Sequence, residues 1–404
     1  MNLLFALSWN NIWRSRKRSL VVIGSISVGV WALIFLFGFL NSFNVAYVRN
    51  AINYDYSHIQ IHHPDYRLDP GISFFIPEQQ KVEEAINNIE EVLGSSSRTI
   101  VNGIVATGKS SQGVMLYGVN PDQESNITQL DKLLLEGEYF TGKRNPILIS
   151  RKVADKLGAR IRSKIVITFQ DATGEITSSA FRVDGIFDSK SPKINQGIVY
   201  VRQQELQSLV QQDLVHETAL LLQDIEQIPG VKAAIIEQFP ELEVLAFREL
   251  APEFDLLQQH AVISKQILTG IIMLALLFGI INTMLMAVLE RTKELGILRA
   301  VGMHKSKVFK MILAETVLLS LVGGPIGLFL GFLNNLWLGN TGIDFSSYAE
   351  SLKQYGYDAV FYPTLEASQY PTLMAVVMLT ALIGAIYPAI KAIKLNPVES
   401  IRKI

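Results

Sequence analysis

Four stretches of the chain stay apolar for longer than a globular core helix needs. No Asp, Glu, Lys or Arg occurs between Arg18 and Arg49, and Ser19 to Leu40 is the apolar part. Residues 267–289 form a second uncharged run, residues 312–338 a third with Glu315 near its start, and residues 370–390 a fourth. About 20 apolar residues in a helix cross the roughly 30 Å hydrocarbon core of a bilayer, so each run predicts a membrane span. Gly323-Gly324-Pro325 punctuate the third run and Gly384 and Pro388 the fourth. Spanning helices tolerate such residues where they pack on neighbours.

Between the first two runs the periodicity changes. Residues 57–62 (SHIQIH) alternate like a strand. Residues 77–92 begin with Pro, carry early acids and space Val82, Ala85, Ile86, Ile89 and Val92 as a helix would. Further on, a short helix over 150–157 ends at Gly158. Strands are expected at 164–170 and 175–187 around a turn at 171–174, and another at 197–201. A helix at 203–211, strands at 219–222 and 244–247, and a helix at 231–239 complete the segment.

The expected fold class is therefore an α+β membrane protein: four transmembrane helices with a large mixed α/β extracytoplasmic domain inserted between the first and second. The boundaries are a basic N-terminal segment at 1–18, spans at 19–48, 263–289, 311–338 and 370–393, and the inserted domain at 49–262. A charged segment lies at 290–310, an outer loop at 339–369 and a C-terminal tail at 394–404. Composition agrees, since 49% hydrophobic and 18% charged residues suit a chain that is part membrane and part aqueous. A net charge of −1 with no basic domain gives no reason to expect nucleic acid. The absence of Cys excludes disulfides, Cys-based zinc sites and a thiol nucleophile.

Orientation follows from Lys and Arg near the span ends. Arg14, Arg16, Lys17 and Arg18 precede the first span; Arg291, Lys293, Arg299, Lys305, Lys307 and Lys310 separate the second and third; Lys391, Lys394, Arg402 and Lys403 follow the fourth. The loop between the third and fourth has only Lys353 against Asp344, Glu350, Asp358 and Glu366. Both termini and the 290–310 segment are thus expected in the cytoplasm, and the inserted domain outside it. The first run is too long for a cleaved signal peptide and no small-x-small site closes it, so it reads as an uncleaved span.

Several motifs invite chemistry. Residues 103–110 (GIVATGKS) satisfy the P-loop pattern, but the residues after them read as turn and strand, whereas the mechanism needs a helix N-terminus there. His58, His62 and His63, with Asp65 nearby, are too few on one strand face for a metal site. Asn126-Ile127-Thr128 is a sequon only in a eukaryotic secretory setting. No G-x-S-x-G elbow, H-E-x-x-H or spaced carboxylate motif is present, so no catalytic residue, metal or cofactor is assigned to this chain.

The segment from Glu290 to Gly302 (ERTKELGILRAVG) stands out instead. Its plain reading is a topogenic charge cluster. Three details go further. Glu290 and Glu294, one helical turn apart with Arg291 and Lys293 among them, can extend the second span into water. Leu295, Ile297, Leu298 and Val301 give a short amphipathic stretch. Gly296 and Gly302 allow a close approach or a turn.

Residues 290–308 resemble the E-R-x-x-E-[IL]-G-[IL]-L-[RK]-A-[LV]-G signature of FtsX/MacB-type ABC transporter permeases. Residues 387–402 (YPAIKAIKLNPVESIR) resemble that family's closing motif, and residues 6–29 its opening helix. The resemblance implies a permease paired with a second permease, identical or related, and with a cytoplasmic ABC ATPase dimer that holds ATP and Mg. It implies that Glu290, Arg291, Lys293, Glu294, Leu295, Gly296, Ile297, Leu298, Arg299 and Gly302 form the ATPase-coupling element. It also implies that ATP-driven closure reaches the outer domain mechanically, by mechanotransmission. Length and layout are most similar to the LolC/LolE lipoprotein-releasing permeases, as are residues 58–76 and 116–186. Lipoprotein or another amphiphile, drawn from the outer leaflet of a bacterial inner membrane, is then the expected substrate, and membrane lipids and a periplasmic chaperone join the expected partners. An attached ATPase domain, as in MacB itself, is not expected, because residues 1–404 read as permease throughout. The alternatives are an FtsX-like regulator of a periplasmic hydrolase or sensor, and a MacB-like peptide or drug efflux permease. Phe35, Phe39 and Phe43 (with Phe37), and Ile267 and Ile271 (with Leu274), could line an amphiphile cavity at a dimer interface, although lipid-facing apolar surface is the commoner reading of such residues.

Overall fold

The computed structural model describes residues 16–141 and 145–394, apart from the side chains of Arg18 and Glu253. The expected N-terminal basic segment lies outside them except for Arg16–Arg18, as do the expected C-terminal tail beyond Lys394 and the second half of the closing motif. The described chain divides into two compact units. One holds residues 16–44, 258–344 and 360–394; the other holds 45–257 and 345–359.

Five helices make up most of the first unit: α1 (Arg16–Asn50), α2 (Glu253–Glu290), α3 (Thr292–Ala300), α4 (Lys305–Thr341) and α5 (Gln369–Ile393). Among the described residues, α1, α2, α4 and α5 are the helices long and apolar enough to cross a membrane. They outrun the apolar stretches that predicted them. α1 passes into a π-helical turn over Ala51–Tyr56, and α2 begins well before Ile267. Val30, Leu33 and Ile34 of α1, Ile280 and Met284 of α2, Leu319 of α4 and Val377 of α5 share one buried core.

Glycine explains how α1 and α4 pack so closely. Gly323, Gly327 and Gly331 recur at one-turn spacing and lie on one face of a helix. A Cβ at Gly327 would stand 2.4 Å from the Ser27 carbonyl oxygen and 2.8 Å from Val30 Cβ, and one at Gly331 would stand 2.8 Å from Ile34. Small residues let helix backbones approach where water supplies no hydrophobic drive. Ser27 Oγ donates to the Gly323 carbonyl at 2.8 Å, and Asn335 Nδ2 donates to the Ile34 carbonyl at 3.4 Å, so the seam is also polar. Pro325 sits within α4 without ending it. The connection expected as a loop at 339–369 starts with a two-residue ladder, Ile343–Asp344 against Val360–Phe361.

The second unit contains two sheets that share one strand. Its strands are β1 (Ile59–His62), β2 (Val92–Ala106), β3 (Ser111–Val119), β4 (Leu134–Gly137), β5 (Pro146–Ser150), β6 (Lys164–Gln170), β7 (Ile176–Phe187), β8 (Ile198–Arg202), β9 (Glu217–Leu222) and β10 (Glu243–Ala246). The first sheet is antiparallel in the order β10-β1-β9-β2. Helices Gln79–Asn87 and Ile228–Gln238 connect β1 to β2 and β9 to β10. This is the split βαβ plan, with everything from β3 to β8 inserted between its halves. Ile59, Ile61, Leu220 and Val244 bury one face of the sheet with Val82, Ile86, Val231 and Ile235 of the helices.

β2 then continues into a barrel. Strands β2, β3, β8, β5, β7 and β6 pair in a ring, because β6 bonds both β7 and the far half of β2. Closure removes the open edges that a sheet otherwise presents. Val105, Leu116, Ile147, Ile149, Ile165, Phe181, Val199 and Val201 fill the interior. Local chemistry places the parts. Ser150 Oγ caps helix Arg151–Leu157 by accepting from Val153 N–H at 3.1 Å, and Gly158 ends it at φ +59°. Asp171 Oδ1 accepts from Thr173 N–H at 2.9 Å and Glu175 N–H at 3.0 Å, which shapes the β6–β7 turn. The helix expected over 77–92 stops at Asn87. Asn88 caps it, and Val92 opens β2.

Candidate functional site

α2 ends at Glu290, where Arg291 leaves helical geometry at φ −98° and ψ 17°, and α3 starts at Thr292. The other end of α3 is closed by its glycine. Gly302 adopts φ +104°, its N–H donates to the Arg299 carbonyl at 3.1 Å, and Met303 N–H donates to the Leu298 carbonyl at 3.0 Å. This pair of bonds is a Schellman cap, which favours glycine because a Cβ strains the left-handed region. His304 then caps α4, its Nδ1 accepting from Ser306 N–H at 3.2 Å.

α3 is anchored along one face. Leu295 is buried, Leu298 and Met303 are partly buried, and all three pack on the helical core. Gly296 is buried as well. Arg291 Nη1 donates to both carboxylate oxygens of Glu315 in α4, at 3.2 and 3.1 Å. Their side chains are 14% and 7% exposed. Arg299 Nη1 donates to the Ile393 carbonyl at the end of α5, at 3.1 Å. A cavity of about 60 Å³ opens beside the ion pair, lined by Arg291, Glu294, Leu295, Leu298 and Glu315 among others.

The opposite face is open. Ile297 is 47% exposed and Val301 84%. Lys293, Ala300, Lys305, Lys307 and Lys310 are exposed in the same segment, as is Glu290. The amphipathic set read from the sequence therefore divides in two. Leu295 and Leu298 face inward, whereas Ile297 and Val301 are exposed apolar positions, an apolar knob in a lysine-rich segment. Exposed apolar residues ringed by polar ones mark an interaction surface better than an isolated leucine would.

Phe35, Phe39 and Phe43 fall on one face of α1. With Trp31 they form a ladder of rings 5.1–6.2 Å apart, and Phe43 stacks at 4.0 Å on the buried Phe361. Ile267 and Ile271 stand 59% and 58% exposed on α2, away from the buried core of the unit.

The other motifs resolve into architecture. The P-loop-like residues 103–110 form the end of β2 and a turn into β3, where Thr107 N–H donates to the Ser110 carbonyl at 2.9 Å. His58 Nδ1 accepts from Leu222 N–H at 3.0 Å, and His62 Nδ1 lies 3.1 Å from the His216 carbonyl. Among the described residues no cluster of His, Asp and Glu could hold a metal. Burial lowers the pKa of His58, His62 and His216, and for His62 it outweighs the opposing field of Glu217.

Sequence reasoning missed the charged core beside these histidines. Arg98 of β2 donates from Nε and Nη2 to Glu124 at 2.9 and 2.8 Å and from Nη1 to Glu217 of β9 at 2.5 Å. All three are buried. Ser96 Oγ donates to Glu124 at 2.8 Å, and the Tyr117 ring lies 5.8 Å from the guanidinium. Burial alone would depress the Arg98 pKa, but the two carboxylates outweigh it and hold the group charged.

Comparison with known proteins completes the picture. Residues 19–238, more than half of the chain, match the family described as MacB-like periplasmic core domain, and residues 267–397 match FtsX-like permease C-terminal. The lipoprotein-releasing system transmembrane protein LolC of Xylella fastidiosa is 24% identical over 311 residues, 73% of this chain and 74% of that one. An ABC transporter permease of Bacillus subtilis, YvrN, is 23% identical over 437 residues and 98% of both chains. The crystal structure of the periplasmic region of MacB from Actinobacillus actinomycetemcomitans aligns with 52% of this chain and 97% of that one, at 11% identity and a TM-score of 0.37. The two family matches cover the inserted domain, the charged connection and the helices around it, and the chain belongs to the FtsX/MacB-type ABC transporter permeases.

Proposed function

We propose that this permease extracts lipoproteins, or another amphiphile, from the outer leaflet of a bacterial inner membrane by mechanotransmission. In this reading α3 and both termini are cytoplasmic and the inserted domain is periplasmic, as the basic clusters favour. A cytoplasmic ABC ATPase dimer holds ATP and Mg and seats on α3, while this chain supplies no catalytic group or cofactor. A second permease, identical or related, covers part of the exposed apolar surface of the spans, and lipid covers the rest.

The observation that carries the reading is the two-sidedness of α3, anchored at Leu295, Leu298, Arg291 and Arg299 and open at Ile297 and Val301. A short helix held this firmly can pass a push into α4 and α5 without first deforming. The aromatic ladder from Trp31 to Phe43 offers an apolar wall for acyl chains, and similarity to LolC favours lipoprotein among amphiphiles.

The test is ATP turnover by the permease–ATPase complex in nanodiscs, with an acylated lipoprotein and with the same protein lacking its acyl chains. Stimulation and release of the acylated form alone are expected. Equal rates with both, and no release, would remove lipoprotein as substrate. Because the matched domain carries MacB's name, stimulation by a peptide or macrolide instead would point to efflux. Stimulation by neither, with a periplasmic hydrolase or sensor responding to ATP, would point to an FtsX-like regulator.

A further inference from the structure

We propose that Arg291 and Glu315 form a strut that passes load from α3 into α4, making them positioning residues for coupling. The inference rests on α3 being the ATPase seat. Glu315 is the one acidic residue in the apolar run 312–338, which contains no Lys or Arg. A carboxylate near the end of a spanning helix is costly without a partner. Its partner is the residue at the break between α2 and α3, and Leu295 N–H donates to the Arg291 carbonyl at 3.0 Å, which locks Arg291 to the first turn of α3. The guanidinium therefore moves with α3, and the carboxylate moves with α4.

Two further observations give the pair a direction of action. Arg299 ties the far end of α3 to α5 through the Ile393 carbonyl, so α3 is held at both ends by different helices. α4 lies on α1 through Gly323, Gly327 and Gly331, close enough that a shift of α4 must displace the Ser27, Val30 and Ile34 positions. α1 is a single helix from Arg16 to Asn50. Displacement of α3 thus has an unbroken mechanical route into α1, and the buried ion pair is its first joint. A cavity of about 60 Å³, which Glu294 also lines, adjoins that joint.

The experiment exploits the absence of cysteine. Spin labels on Ile176→Cys, 80% exposed on β7, and on exposed Asn340→Cys at the end of α4 report an intrachain distance in the full permease–ATPase complex in nanodiscs. The wild-type distance distribution is expected to shift on adding ATP. Glu315→Gln should retain ATPase association and at least half of the ATP turnover while the shift falls below a quarter. The exchanged pair Arg291→Glu with Glu315→Arg should restore at least half of the shift, which a role in stability alone would not require. A full shift in Glu315→Gln, or an exchanged pair no better than the single variants, would overturn the strut. If the wild-type chain failed to bind the ATPase at all, the docking reading would fall, and the strut with it.

Discussion

Arg98→Met removes the centre of the buried charge cluster and is the most demanding test of the inserted domain. The guanidinium makes three hydrogen bonds, two to Glu124 and one to Glu217, and all three side chains are at most 7% exposed. Without it two carboxylates remain buried without their cation. Breaking a buried pair from one side costs about 3–5 kcal/mol, a large part of the roughly 5–15 kcal/mol that holds a domain together. Since about 1.4 kcal/mol is a factor of ten, opening of β2 and β9 should increase by roughly two to three and a half orders of magnitude. Hydrogen exchange of peptides from these strands, measured on the full chain in nanodiscs, reads that opening directly. Arg98→Met combined with Glu124→Gln and Glu217→Gln leaves no buried charge and should regain more than half of the loss. If the single variant exchanged like wild type, or the triple variant were as labile as the single, the desolvation argument would be refuted.

Two further predictions follow from the same geometry. Burial holds His58, His62 and His216 below the usual histidine pKa, so the unfolded chain binds protons that the folded one refuses. Their contribution is fully present above about pH 6.5 and is lost as pH falls through the folded values, by at most about 1.4 kcal/mol per pH unit for each histidine; melting temperature should drop between pH 7.5 and 5.5, less steeply in His62→Gln, and an unchanged melt across that range would count against neutral burial. Gly327→Val should wedge α1 from α4, since even a Cβ would stand 2.4 Å from the Ser27 carbonyl, at a cost of about 1–3 kcal/mol; Gly279→Val on α2, where the Cβ position is open, is the control, and equal melting temperatures for the two would argue against close packing at the seam.

Elements with one-sided burial or clear caps were legible, whereas β5, buried at all five positions, was not. Lys164–Gln170 alternates buried and exposed along its length, and Ser150 and Gly158 bracket a helix by cap chemistry alone. β2 was not legible. Its Ser95-Ser96-Ser97-Arg98-Thr99 has no apolar alternation, yet the segment is largely buried, and its charge is answered by Glu124 and Glu217 from distant parts of the chain. The helix over 77–92 was extended too far because Ile89 and Val92 fit helical spacing, while Asn87-Asn88 ended it. At α3 the pattern showed an amphipathic stretch, but only neighbouring helices decide which residues are the anchors. The partnership of Arg291 with Glu315, 24 residues apart, is likewise tertiary information.

The central claim is that the open face of α3 receives the ATPase, and the affinity of the full permease in nanodiscs for that ATPase tests it most directly. Ile297→Asp and Val301→Asp place a charge on the apolar knob without touching the buried face. Each should weaken binding by at least about tenfold, as expected when an interface anchor worth about 1.4 kcal/mol or more is lost. Leu68→Asp, at an 86% exposed position of the inserted domain, should change nothing. Affinity within threefold of wild type for both α3 variants would contradict the account.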